Sequence, residues 1–144
     1  MSDVELEAAE VLRRYKSAVR AKDVERMLAL YDDDVRIFDA FGLWAIQGAP
    51  AWRQAVEQWF GSLGHDTVEV DLADLRTDGG TDLAVVSAIV TFAAVSAQGE
   101  RLRSMQNRFT WSLARRGGVL KIFHEHSSAP ISLDDGKAIL QRDP

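Results

Sequence analysis

The chain has 144 residues, of which 47% are hydrophobic, and its 17 basic and 22 acidic side chains leave a net charge of −5. That length suits one domain able to bury a core without staples, and the composition excludes a disordered chain. There is no cysteine, so disulfides, thiol catalysis and zinc–thiolate sites are excluded; no basic block stands out, so no nucleic-acid partner is expected.

The opening MSDVELEAAE is acidic and lacks an apolar run, and no later stretch approaches the length of a bilayer span. The chain therefore reads as a cytoplasmic protein without a signal peptide or a membrane partner. Val4, Ala8, Val11, Leu12, Tyr15, Ala18 and Val19 recur at the spacing of an amphipathic helix. Tyr15 falls on its buried stripe, where a phenol needs a partner or a cavity. Asp23 is placed to cap a short second helix whose apolar side is Val24, Met27, Leu28 and Tyr31. Asp32, Asp33 and Asp34 break it and read as a solvated turn, since a calcium loop needs spaced ligands and a glycine.

Val35, Ile37 and Asp39 share one face of a short strand, so a carboxylate ends an apolar row. An irregular stretch with Phe41 and Trp44 follows. Pro50 then suits the first turn of a third helix, with Trp52, Ala55, Val56, Trp59 and Phe60 on its apolar side and Gly61 as its end. From Thr67 the period drops to two. Val68, Val70 and Leu72 alternate with polar positions, Asp78-Gly79-Gly80 makes a turn, and residues 83–97 are apolar enough for a strand covered on both faces. After Pro130 the tail is polar, and its Leu133, Ile139 and Leu140 are expected either to form a short covering helix or to fray.

Residues 101–128 carry the candidate chemistry. Gly117-Gly118 marks a hairpin. Alternation groups Met105, Asn107, Phe109 and Trp111 on one face of the first strand, and Ile122, His124 and His126 on one face of the return. A two-residue loop pairs Trp111 with His124, and a four-residue loop pairs it with Ile122. Either way the same sets share a face, and only a one-residue slip separates them. Aromatic walls with an amide and two imidazoles suit a small-molecule pocket.

Helices first and a strand meander after imply an α+β domain. The run VLRRYKSAVRAKDVERMLALYDDDVRIFDAFG, the Gly-Ala-Pro-Ala-Trp helix start and the ending LKIFHEHSSAP resemble the nuclear-transport-factor-like superfamily, in its SnoaL-like and ketosteroid isomerase-like branch. The resemblance covers about residues 4–130. It implies a cone-shaped, curved antiparallel sheet wrapped around three N-terminal helices and enclosing a pocket. Residues 1–130 then form a single SnoaL-like domain, and 131–144 a C-terminal tail.

In ketosteroid isomerase a helix-one tyrosine donates to the substrate oxygen, a carboxylate at the end of the first strand shuttles the proton, and a protonated aspartic acid on a late strand is the second donor. The resemblance carries the first role to Tyr15 in LRRYKSA and the second to Asp39 in VRIFDAFG. The third falls on Asn107 in QNRF, which donates but is no acid, so the ligand implied is not a steroid isomerase's.

The expected chemistry is cofactor-free acid–base catalysis on a small apolar carbonyl compound: isomerisation, dehydration or cyclisation. Phe38, Trp44 and Trp59 would desolvate Asp39, the base; Tyr15 and Asn107 would donate to the enolate oxygen; His124 or His126 would be the second proton carrier. Trp44, Trp59, Met105, Phe109, Trp111 and Ile122 would line the pocket. The alternative is a non-catalytic ligand-binding or self-association module, a homodimer joined through the convex sheet face at Arg108, Thr110, Phe123 and Glu125. No metal is expected, because His124, His126 and Asp39 lack any independent third-ligand spacing.

Overall fold

The computed structural model of the protein describes residues 2–142. Helix α1 spans Asp3–Ala21, capped by the Ser2 hydroxyl at its start and ended by Lys22 in the left-handed region (φ 52°). Helix α2, Val24–Leu28, has Asp23 as its N-cap. Strands β1 (Tyr31–Phe38) and β2 (Ile46–Gln47), helix α3 (Ala49–Ser62), and strands β3 (Thr67–Gly79), β4 (Leu83–Val95), β5 (Arg101–Arg116) and β6 (Val119–Ser128) follow. Among the described residues no helix is long and apolar enough to cross a membrane.

All six strands form one sheet in the order β2-β1-β6-β5-β4-β3. It is not antiparallel throughout, because β1 runs parallel to β6. A parallel neighbour needs a long crossover, and α3 with the β3–β5 meander supplies it. The inward faces of the strands bury Val68, Val86, Val90, Leu113 and Ile122 against Ala8, Leu12 and Val19 of α1 and Val56 of α3.

Curvature comes from irregular pairing. In β3 the register slips between Ala73 and Arg76, with Asp74 at φ 52°; β4 and β5 slip near Val95; β5 and β6 slip between Ser112 and Leu113. Each extra residue bends its strand and adds twist, so the sheet wraps the helices instead of lying flat on them. The β5–β6 hairpin closes through two residues, with Gly117 at φ 57° and Gly118 at φ 84° and Arg116 opposite Val119. Both central positions have positive φ, the type I′ geometry that glycine enters freely.

Three local expectations change. Tyr31 opens β1 instead of completing α2, and Asp32, Asp33 and Asp34 lie in that strand. The pairing of β1 with β6 is irregular between Tyr31 and Arg36. That leaves Asp33 and Asp34 in water, while Asp32 pairs with Arg116 at 3.3 Å. Among the described residues the tail makes no helix. It runs past the end of β6, where the Leu140 carbonyl accepts from Gln106 N at 2.8 Å and Gln141 Nε2 donates to the Ser104 carbonyl at 2.6 Å. It thereby satisfies backbone groups of β5 that β6 is too short to reach.

Gly61 does not end α3, which continues to Ser62, and a methyl group added there would meet no atom within 4 Å. Gly61→Ala is therefore expected to raise stability by about 0.5–1 kcal/mol through helix propensity and a less flexible unfolded chain. The urea midpoint measures it, and a lowered midpoint would contradict a helical Gly61.

Candidate functional site

Between the helices and the concave face lies a cavity of about 380 Å³. Tyr15 reaches it from α1, Trp52, Trp59 and Leu63 from α3 and the residue just after it, and Phe92 and Ala94 from β4. From β5 come Arg103, Met105, Asn107 and Phe109; Asp39 lies at its edge and Glu125 on its wall. Ser104 also touches it, but Arg103, Met105, Asn107 and Phe109 are alternate positions, so one strand face supplies most of that side of the hollow. Its rings pack edge-on and tilted, with Phe92 5.7 Å from Phe109 and Trp59 5.9 Å from Phe92.

The return strand corrects the expected face. Trp111 sits opposite Glu125, and Ser112 opposite His124, because Phe123 is the extra residue of the slip between Leu113 and Ser112. Ile122 stays inward, as alternation from the hairpin requires, but beyond the bulge the phase inverts. Glu125 and Ser127 turn in, while His124 and His126 turn out. The two imidazoles stand on the convex face on either side of Phe38, at 5.0 and 5.5 Å, and His124 Nδ1 hydrogen-bonds with the Arg36 carbonyl at 2.8 Å. They line no part of the main cavity where a second proton carrier was expected; His126 instead lines an outer hollow that it shares with Asp39. Glu125, expected on the convex face, is inside.

Other expected pocket residues divide. Trp59, Met105 and Phe109 line the cavity. Ile122 and Trp111 lie wholly in the core behind it. Trp44 is 97% exposed, on the loop between β1 and β2, because nothing in that turn covers its ring. With Trp44 in water and Phe38 on the outer face, the desolvation expected of Asp39 is missing: Asp39 is exposed, its carboxylate accepting from Ser127 Oγ at 3.2 Å.

That desolvation falls on Glu125, which is 3% exposed. Its Oε1 accepts from Tyr31 Oη at 2.5 Å and from Trp111 Nε1 at 2.9 Å, while Oε2 has no protein partner among the described residues. Burial pushes this carboxyl up to about 7 despite the opposing effect of the two hydrogen bonds, and the Asp39 charge adds to the rise. Burial, then the Glu125 and Asp39 charges, also hold the Tyr15 phenol well above its ordinary 10, so Tyr15 stays a donor. Asn107 is buried, and its Oδ1 has no partner. Trp52 Nε1 likewise lacks a hydrogen bond of good geometry, although it lies near enough to affect Tyr31. A cavity holding an uncommitted phenol, a half-protonated carboxyl and an unsatisfied amide is equipped to bind and move protons on a ligand oxygen. Among the described residues no three metal-ligating side chains converge.

Alternation alone hides Glu125, because the bulge at Phe123 leaves no mark in the sequence. One signal was present: a buried Trp111 must place its N–H on an acceptor, and the nearest acidic residue on the return strand is Glu125.

Among known protein families, the SnoaL-like domain matches residues 8–132 of this chain. An NTF2-like protein of unknown function from Pseudomonas putida KT2440 is 28% identical, covering 98% of this chain and 96% of that one, with a TM-score of 0.85. A candidate calcium/calmodulin-dependent protein kinase II association domain from Xanthomonas campestris is 18% identical over 86% of each chain, TM-score 0.73. A candidate dehydratase of the NTF2-like family from Streptomyces avermitilis is 15% identical over 90% of this chain and 98% of that one, TM-score 0.76. No curated protein matches the chain significantly.

The raised pKa of Glu125 has a stability consequence. The folded protein holds this proton more tightly than the unfolded chain, whose carboxyl ionises near 4.5. The associated stability is full below that value, falls as pH rises towards about 7, and is absent above, a difference of about 3 kcal/mol. Glu125→Gln keeps the acceptor for Tyr31 and Trp111 and removes the charge. It is expected to be more stable than the native protein by up to about 3 kcal/mol near pH 8, with the gap closing towards about pH 5. Urea unfolding at the two pH values measures this, and a gap independent of pH would contradict a buried, protonated Glu125.

Proposed function

This chain belongs to the SnoaL-like domain family, and from that premise we propose that its cavity binds a small, largely apolar carbonyl compound and moves protons on it without a cofactor. The observation that carries the reading is the buried Glu125 carboxyl on the wall of a cavity that also presents Tyr15 and the Asp39 carboxylate. Asp39, exposed to water at the cavity edge, takes a proton from the carbon beside the carbonyl. The electron pair moves onto the carbonyl oxygen, where Tyr15 and protonated Glu125 donate hydrogen bonds to the developing enolate. Asn107 orients the same ligand. Asp39 then returns the proton to another carbon, an isomerisation, or the enolate's electron pair forms a carbon–carbon double bond as a hydroxyl on the next carbon leaves as water with the proton from Glu125, a dehydration completed when the proton on Asp39 passes through solvent to Glu125. The fold-level likeness to a candidate dehydratase agrees with the second outcome.

Exchange of the α-protons of 2-tetralone in D₂O, followed by NMR, tests this. The native protein is expected to accelerate it, and Asp39→Asn to lower the acceleration by at least about a hundredfold while binding changes only a few-fold. No acceleration over buffer by the native protein would overturn catalysis and leave the hollow a binding site.

A second reading concerns assembly. The convex face carries Phe123, Ile89 and Thr110 half-buried, and Val85 and Leu83 exposed, beside the outward imidazoles. A homodimer through this face would cover them. Light scattering at micromolar concentration is expected to give twice the 16.0 kDa chain mass, and the single-chain mass would overturn it.

A further inference from the structure

The inward row of β5 has a chemical gradient that points to the ligand's class, an inference that rests on reading the cavity as a ligand site. The row ends at Arg103, which lines the cavity where it opens to water and faces Ala94 across the β4–β5 pair. Met105 follows, then Asn107 and Phe109, with Trp111 and its partner Glu125 beyond. Among the described residues Arg103 has no acidic partner within 4 Å and no hydrogen bond from its guanidinium; Arg20, Arg76 and Arg101 are unpaired too, but of these four it is Arg103 that lines the cavity. A guanidinium presents two parallel N–H donors, the match for a planar carboxylate. Between the charged rim and the polar interior the walls are rings: Trp52, Trp59, Phe92 and Phe109.

We propose that the cavity is built for a flat aromatic acid, entered ring first, with its carboxylate held by Arg103 at the rim and a neutral hydroxyl or carbonyl oxygen set against Tyr15 and Glu125 inside. Arg103 and Asn107 are four residues apart, about 13 Å along a strand. An arginine side chain is several ångströms long, and the rest of that span matches two fused rings. The protein's net charge of −5 repels anions in general, so a preference for the acid over its uncharged ester needs a local cation, and among the described residues Arg103 is the one lining the cavity.

The probes are 6-hydroxy-2-naphthoate and its methyl ester, titrated by calorimetry at low ionic strength. The acid is expected to bind the native protein at least about tenfold tighter than the ester. Arg103→Gln should close that gap to within about twofold by weakening the acid alone, and Ala94→Phe, which narrows the mouth, should weaken both compounds. Equal binding of acid and ester by the native protein would overturn the rim carboxylate and leave the cavity reading intact. So would a loss in Arg103→Gln shared by both compounds. Acid binding that survives Ala94→Phe unchanged would place it outside the cavity and overturn the proposal. If neither compound binds the native protein, the cavity reading falls with it.

Discussion

The carboxyl of Glu125 sits where three strands meet. It is carried by β6, receives the Tyr31 hydroxyl from β1 on one side and the Trp111 indole N–H from β5 on the other, and turns its second oxygen towards the hollow. A charged carboxylate here would cost more than two neutral donors return, so burial keeps the proton on it to near neutrality. The same bonds tie the β1–β6 pair, the one parallel contact in the sheet, to the antiparallel meander. Structural closure and chemical readiness are one feature of this interior.

What makes the interior a hollow is the bending of the sheet. Three register slips on separate strand pairs curve it around α1 and α3, so the concave face meets the helices closely at one end and leaves space at the other. At the closed end Arg115 joins the hairpin to α1 through Glu7, with N–O distances of 2.9 and 3.0 Å, and also donates to the Thr81 carbonyl. At the open end β6 has stopped at Ser128, and the tail supplies the missing partner for Gln106. The wide end faces water at Arg103 and at the loop carrying Phe41, and Tyr15, Asn107 and Glu125 lie between the two ends.

The two carboxylates illustrate how neighbours divide one chemistry. Asp39 is one residue beyond the end of β1, where the chain leaves the sheet, so water reaches it and a serine hydroxyl steadies it. Glu125 is mid-strand in a covered sheet and meets only aromatic donors. In the proposed reaction the first acts as a base and the second stays protonated and donates. Outside, Arg36, Phe38, His124 and His126 make a separate cluster, with the guanidinium 4.5 Å above the phenyl ring. Its outer hollow and the main cavity are both bordered by Asp39 and Phe41.

The amino-acid sequence by itself determined the order of elements apart from the two-residue β2, the stripe that buries Tyr15 on α1, the apolar row ending at Asp39, the two-glycine hairpin, and the shared face of Met105, Asn107 and Phe109. These follow from periods of 3.6 and 2 and from glycine's access to positive φ, all properties of short stretches of chain. Only the tertiary structure decided which side of β6 enters the hollow. A single extra residue at Phe123 exchanges two imidazoles for one carboxyl, and a bulge arises from fitting β6 between β1 and β5, which no local pattern records. The exposure of Trp44 and Asp39 was likewise settled by the path of a loop across the cavity edge, because burial is a property of what else arrives, not of the residue itself.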